Sequence, residues 1–370
     1  MEASTPTSRS AISLHQRRLS KSELSESGLN QAECPLFKFL PAEIRSHIFA
    51  LALVDYEEPA AAHQYARNTC WARPSYSSPR RTDTALLRTC KYINRETWFL
   101  PFLLKEQTHW ITATDRAPPE YSVDDSLVNL RQAIAKIKRQ HNQSDVEIKS
   151  FRVFTQMYKI EAHEVTGFLS LVPYLSFQRL CITIRHADFW FWENDAPLRF
   201  ESQWIPRLCA VLPSAVREVV IEMETVSRKA AQLDEIAKQM AQKWHFRIRD
   251  GERLFADSTP NGHEVSRWRG SSSWHNQRWI RDEISDGIIE YYVGAVRFQP
   301  RHAIEKAGGK VSDEALQAAA SVTFMVPEKL HLPDAEPMQC VQAYVPTDTE
   351  DLSVVITSAA EEDATARNMA

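Results

Sequence analysis

Beyond residue 148 the hydrophobic period alternates between 2 and about 3.6, which limits the folds open to this chain. "FRVFTQ" (151–156), "RLCITIRH" (179–186) and "REVVIEME" (217–224) read as strands. In them Leu180, Ile182 and Ile184 point one way, as do Val219, Ile221 and Met223. Between these runs the pattern predicts helices near 163–172 and 202–212. After Ser227 a better-defined helix puts Leu233, Ile236, Met240 and Trp244 on one stripe, and "WHFRIRD" (244–250) resumes as strand. Strand–helix units recurring roughly every 30 residues imply parallel strands joined by crossovers. The fold class is therefore α/β, as a mainly parallel sheet or a short, irregular repeat stack. The uneven spacing and the missing Leu-x-x-Leu-x-Leu ladder count against the repeat. "GIIEYYVGAVRFQP" (287–300) adds a further strand or hairpin arm, whereas 257–281 reads as irregular.

Composition excludes several kinds of chemistry. At 370 residues, 43% of them hydrophobic, the chain is long enough to bury a real core. Its net charge of -4 provides no global attraction to nucleic acid or anionic lipid. Only nine glycines are present, and the one adjacent pair, in "AGGK" (307–310), lacks the spacing of a phosphate loop. The six cysteines are scattered without a Cys-x-x-Cys pair, and no apolar run approaches the length of a bilayer span. Free thiols and a cytoplasmic or nuclear setting are the expectation.

Residues 1–33 are rich in Ser, Thr and charge and read as a disordered tail carrying "RRLS" (17–20). The apolar run then breaks at Leu40-Pro41. In "PAEIRSHIFALAL" (41–53), Ile44, Ile48 and Leu51 fall at i, i+4 and i+7, and this stripe is expected to face inward. Pro41 suits a first helical turn, and Glu43 suits the positive end of the dipole. After a loop over 55–82, "TDTALLRTCKYINRETWFLP" (82–101) reads as one helix. Thr82 or Asp83 caps it, Leu86, Cys90, Ile93 and Thr97 line its inner face, and Pro101 stops it. A third helix follows in "SVDDSLVNLRQAIAKIKRQHN", with a Ser122/Asp125 cap pair. Leu127, Leu130, Ile134 and Ile137 face inward, and Arg131, Lys136, Lys138 and Arg139 form a solvated face.

The first two helices together resemble an F-box, or the F-box-like module of uncharacterised fungal proteins. Leu40, Pro41, Glu43, Ile44, Ile48 and Leu51 match its opening, and Leu86, Leu87, Cys90 and Ile93 match its close. The likeness covers about 35–104, with a longer internal loop than the family's and Tyr92 near where a Trp is expected. It implies docking on the adaptor subunit of a cullin-based ubiquitin ligase through Leu40, Pro41, Ile44, Ile48, Leu51, Leu87 and Cys90. The remainder of the chain would then select a substrate. The domain reading is a tail over 1–33, a helical module over 34–112, an α/β domain over 113–326 and an acidic flexible tail over 327–370.

Other constellations are weaker. No His-Glu-x-x-His or Gly-x-Ser-x-Gly pattern occurs, so neither metal, cofactor nor enzymatic chemistry is expected. Glu222 and Glu224 share one strand face, and a solvated edge accounts for them. Cys181 and Cys209 read as small buried hydrophobes. "RWRGSSSWHNQRWIR" (267–281) interleaves Trp and Arg, which makes Trp268, Arg269, Trp274, Arg278 and Trp279 a candidate partner-recognition set. Packing of the tryptophans over one end of the sheet, with the Arg heads in solvent, is the favoured use of this stretch, and nucleic acid is the lesser alternative. In the tail, Leu352, Val354, Val355 and Ile356 lie between acidic flanks. They resemble the short motifs that add a strand to ubiquitin-like modifiers. The expected protein is a substrate-recognition subunit, with a scaffold or an enzyme using the carboxyl ends of the strands as alternatives.

Overall fold

The computed structural model describes residues 34–141, 144–274, 277–321, 330 and 345–346. A short helix, α1 (Pro35–Lys38), leads into α2 (Ala42–Ala52), with Pro41 at the N-cap of α2. Two short strands, β1 (Asp55–Glu57) and β2 (Arg80–Thr82), pair antiparallel and close a long loop, here called the strap. The single helix expected over 82–101 is divided into three pieces. Ala85–Arg88 forms a 3-10 turn, α3 spans Lys91–Thr97 and α4 spans Leu100–Leu104. Two local causes divide it. The Cys90 thiol accepts the Ile93 N–H at 3.4 Å and so serves as the N-cap of α3. Pro101 occupies the first turn of α4, where its missing N–H is no loss, and so opens a helix instead of stopping one.

The sheet begins with β3 (Gln107–Ile111). It continues through α5 (Val123–His141), β4 (Val146–Thr155), α6 (Met157–Glu161), α7 (Glu164–Ser170) and β5 (Leu175–Ile184). Next come α8 (Ile205–Val211), β6 (Glu218–Val226) and α9 (Ala230–Lys243). β3, β4, β5 and β6 lie side by side in sequence order, each parallel to the next. The strand–helix succession thus forms a mixed α/β fold around a parallel core. Beyond β6 the pairing turns antiparallel through β13 (Ile288–Pro300), the longest strand. On the far side of β13 lie β8 (Arg253–Ala256) and β9 (Glu264–Ser271), and β7 (Phe246–Arg247) pairs with β8. β9 falls in the segment expected to be irregular. Ladder bonds from Ile288–Ala295 of β13 order it, and its own mostly exposed side chains carry no period-2 signal. Two short pairings, β10 (Ser273–Trp274) with β11 (Gln277–Arg278) and β12 (Glu283–Ser285) with β13, flank the turn before β13. Helices α10 (Arg301–Lys306) and α11 (Asp313–Ala320) follow, and β14 (Val345–Pro346) returns to β11.

The main core lies on one face of the sheet. Phe151, Val153, Leu180, Ile182, Ile184, Val219, Ile221 and Met223 project there against Leu130, Ile134 and Ile137 of α5. Phe168 of α7, Leu208 of α8 and Leu233, Ile236 and Met240 of α9 join the same cluster. Three crossovers that step the same way along the sheet leave their helices on one side. The opposite face would be open, but the strap lies across it. Tyr76 sets its ring edge-on to Phe154 at 4.9 Å, and Trp71 and Tyr76 pack with Trp110. Among the described residues no helix is long and apolar enough to cross a membrane.

Candidate functional site

Helix α2 carries two apolar stripes, and the structure buries the one opposite to that expected. Phe49 and Leu53 enter a cluster with Ile93 and Leu100, supported by Leu36, Phe37, Leu86, Leu87 and Cys90. The expected inner stripe faces out: Ile44 is 50% exposed, Ile48 42% and Leu51 68%. Both stripes have helical spacing. The phenyl group of Phe49 offers the larger apolar surface to bury, and α1, α3 and α4 surround it. Phe39, 71% exposed, and Val54 and Tyr56 extend the outer row at either end of the helix. Arg45 holds the module rigid, donating from Nη2 to Glu96 Oε1 and from Nη1 to the Leu40 carbonyl, both at 2.7 Å.

Of the seven residues expected to dock, Pro41, Ile44, Ile48 and Leu51 are therefore exposed together on one face, with Leu40 half-buried beside them. Leu87 and Cys90 are half-buried against the inner cluster, where Cys90 also serves as a cap. Scattered exposed apolar residues are ordinary, but a row of this kind on a single rigid helix is not.

The Trp/Arg segment is used mostly for packing. Trp274 and Trp279 are buried and meet Trp192 with ring centroids 6.0 and 4.5 Å away, over Val226 and Ile289. Trp268 stacks on Tyr291 at 4.3 Å and donates its indole N–H to Glu224 at 2.9 Å. Arg278 is paired with Glu283 at 2.6 Å and also with Asp286. Only Arg269 of the five stands well out from the surface, 3.5 Å from Glu290. The tryptophans thus close one end of the sheet. Leu352, Val354, Val355 and Ile356 lie outside the described residues.

Glu222 and Glu224 do not sit on a solvated edge. They lie under the strap in a network of buried charges on the covered face of the sheet. Glu222 accepts from Arg152 at 3.2 Å and from Thr183 at 3.2 Å, while Arg73 of the strap reaches Glu222 at 3.1 Å and Glu224 at 3.4 Å. Glu106 accepts from Arg152 and from Ser150, each at 2.8 Å, and from the Tyr76 hydroxyl. Burial pushes the Glu222 carboxyl up, but Arg73 and Arg152 more than reverse this, so it lies below the usual carboxylate range. Each of these carboxylates lies within reach of a guanidinium. That arrangement suits cohesion between strap and sheet better than proton transfer.

The thiols tell the same story. Burial pushes Cys181 up to about 11 and Cys209 up to about 12, so both rest as neutral, unreactive groups. No group of three or more His, Cys, Asp or Glu side chains placed to hold a metal ion occurs among the described residues.

A cleft of about 560 Å³ opens beside β3, lined in part by His109, Trp110, Tyr121 and Lys105. There His109 Nδ1 lies 2.8 Å from the Ser126 hydroxyl, and the Trp110 N–H donates to the Tyr121 hydroxyl at 3.0 Å. The ring is stacked on Phe151, and burial lowers its pKa to about 3, so the imidazole stays neutral. Comparison of the chain with models of known families, with curated proteins and with solved structures finds no match.

Proposed function

We propose that this chain is a protein-interaction subunit. Its amino-terminal helices dock on the adaptor of a cullin-based ubiquitin ligase, and its α/β body selects the protein to be modified. The observation that carries the reading is the two-faced α2: Phe49 and Leu53 hold the helix to the body, while Ile44, Ile48 and Leu51 remain outside it. A helix that presents apolar side chains at this spacing fits a groove in another protein.

The test is a titration of the purified ligase adaptor against the full chain. Saturable binding is expected, weakened at least about tenfold by I44D combined with I48D. An adaptor that does not bind the unaltered chain would end the ligase reading. A second reading is favoured by one feature: Leu87 and Cys90 serve the inner cluster, so the exposed row is narrower than the resemblance implies. On that reading the same row binds another protein and the chain acts as a scaffold. The double variant would then lose a partner other than the adaptor.

A further inference from the structure

A groove of about 570 Å³ runs between the carboxyl-terminal half of α5 and the turn that joins α7 to β5. Ile134 and Val172 form its buried floor, and Leu171 and Tyr174 form one wall, standing 51% and 54% exposed. Three cations surround this apolar trough: Arg131, Lys138 and Arg139. Lys138 holds its ammonium 3.2 Å from the centre of the Tyr174 ring, which places charge at the lip of the wall.

Several arginines of the sheet face and strap are paired with carboxylates, as Arg152 is with Glu222 and Arg80 with Asp55. Arg131, Lys138 and Arg139 have none among the described residues. Lys138 and Arg139 also complement the negative end of the α5 dipole. Arg131 lies more than two turns from that end, so the dipole does not account for it.

We infer that this groove binds an acidic, aliphatic peptide segment of a partner protein: an apolar anchor on Ile134 and Val172, with carboxylates reaching the three cations. The chemistry is set by charge complementarity. A trough with an apolar floor rejects a purely ionic ligand, and an unopposed cationic rim rejects a basic one. Leu171 and Tyr174 stand half outside, so the occupant covers them from above as a chain segment does. Spacing narrows the motif. Arg131 and Lys138 are seven residues apart, about 10 Å along the helix axis. An extended peptide covers that span in about three residues. Side chains of an extended chain alternate between faces, so the nearest spacing that turns both acids toward the groove is four, with aliphatic residues between them. The groove shares no residue with the exposed face of α2 and does not depend on adaptor docking.

The experiment uses the full chain and a fluorescein-labelled peptide, GSEILEDGS, read by anisotropy. Two control peptides accompany it, GSESSEDGS without the aliphatic pair and GSKILKKGS with the charge reversed. Saturable binding of the first peptide is expected, with both controls weaker by about tenfold or more. K138E combined with R139E weakens it by about tenfold or more, and L171S by at least about threefold. These side chains lie at the surface, and R131E serves as an independent variant should either of the others unfold. No binding of GSEILEDGS, equal binding of the serine control, or unchanged binding by the variants would each overturn the proposal. Charge-dependent capture on anionic phosphatidylserine vesicles in place of the peptide would overturn it as well.

Discussion

Arg152 carries more of the buried charge balance than any other side chain of the sheet. It reaches Glu106 on one side and Glu222 on the other, and its Nη1 also donates to the Thr183 hydroxyl at 2.7 Å. Removing it takes from Glu106 its cation and leaves Glu222 with Arg73 alone. R152M is therefore expected to lower stability by about 3–5 kcal/mol, read from urea unfolding. Acid acts on the same groups and on the buried imidazoles. Glu106 and Glu222 lie below their ordinary 4.5 in the folded chain, so they lend stability above that value and lose it as pH falls below it. His109 is neutral when folded, with a pKa of about 3 against an ordinary 6.5. The unfolded chain takes up its proton first, so stability already declines as pH drops through 6.5. The decline attributable to His109 is roughly 3 kcal/mol by about pH 4. Urea midpoints measured across that range should fall, and H109L should flatten part of the slope. An unchanged slope would show that the ring is not held neutral in this way.

At the scale of elements, α2 and β13 each make a sharp demand. If Phe49 and not Ile48 faces the core, F49A should lower stability by about 3–5 kcal/mol, whereas I48D should shift it by no more than about 0.5 kcal/mol. Equal effects would mean that the two stripes are misassigned. In β13, Gly294 lies directly beneath α9, where an added Cβ would collide with Cδ2 of Leu233. G294A is expected to lower stability by about 1–3 kcal/mol, and less in an L233A background, as thermal unfolding of the two variants would show. The elements themselves were unequally legible. β4, β5 and β6 and helices α5 and α9 stand out from periodicity because each buries one whole face. The division at Cys90 was not legible, because a cysteine cap carries no compositional signal of its own. Strand β9 was missed for a related reason: its backbone is ordered by β13, while most of its side chains remain in water.

For the molecule as a whole, the strap ties the amino-terminal half to the sheet. Arg80 pairs with Asp55 at its base, Glu57 accepts the Ser77 N–H at 2.7 Å, and Arg73 and Tyr76 reach the buried charges of the sheet. Replacing residues 59–78 by a short turn should lower stability by about 4 kcal/mol or more and expose Phe154 and Trp110 to a hydrophobic dye. A deletion that left the urea midpoint unchanged would mean that the strap is merely a long surface connection. Sequence alone determined the α/β class, the parallel pairing of the central strands and a helix over 41–53 carrying the Ile44–Ile48–Leu51 stripe, because these follow from local periodicity and from the reach of short connections. Only the tertiary structure decided which stripe of α2 meets water, that Trp274 and Trp279 face inward, and that Glu222 and Glu224 lie beneath a loop. Each of those outcomes depends on which distant surface arrives to cover a side chain, and the spacing of residues along a chain does not encode that.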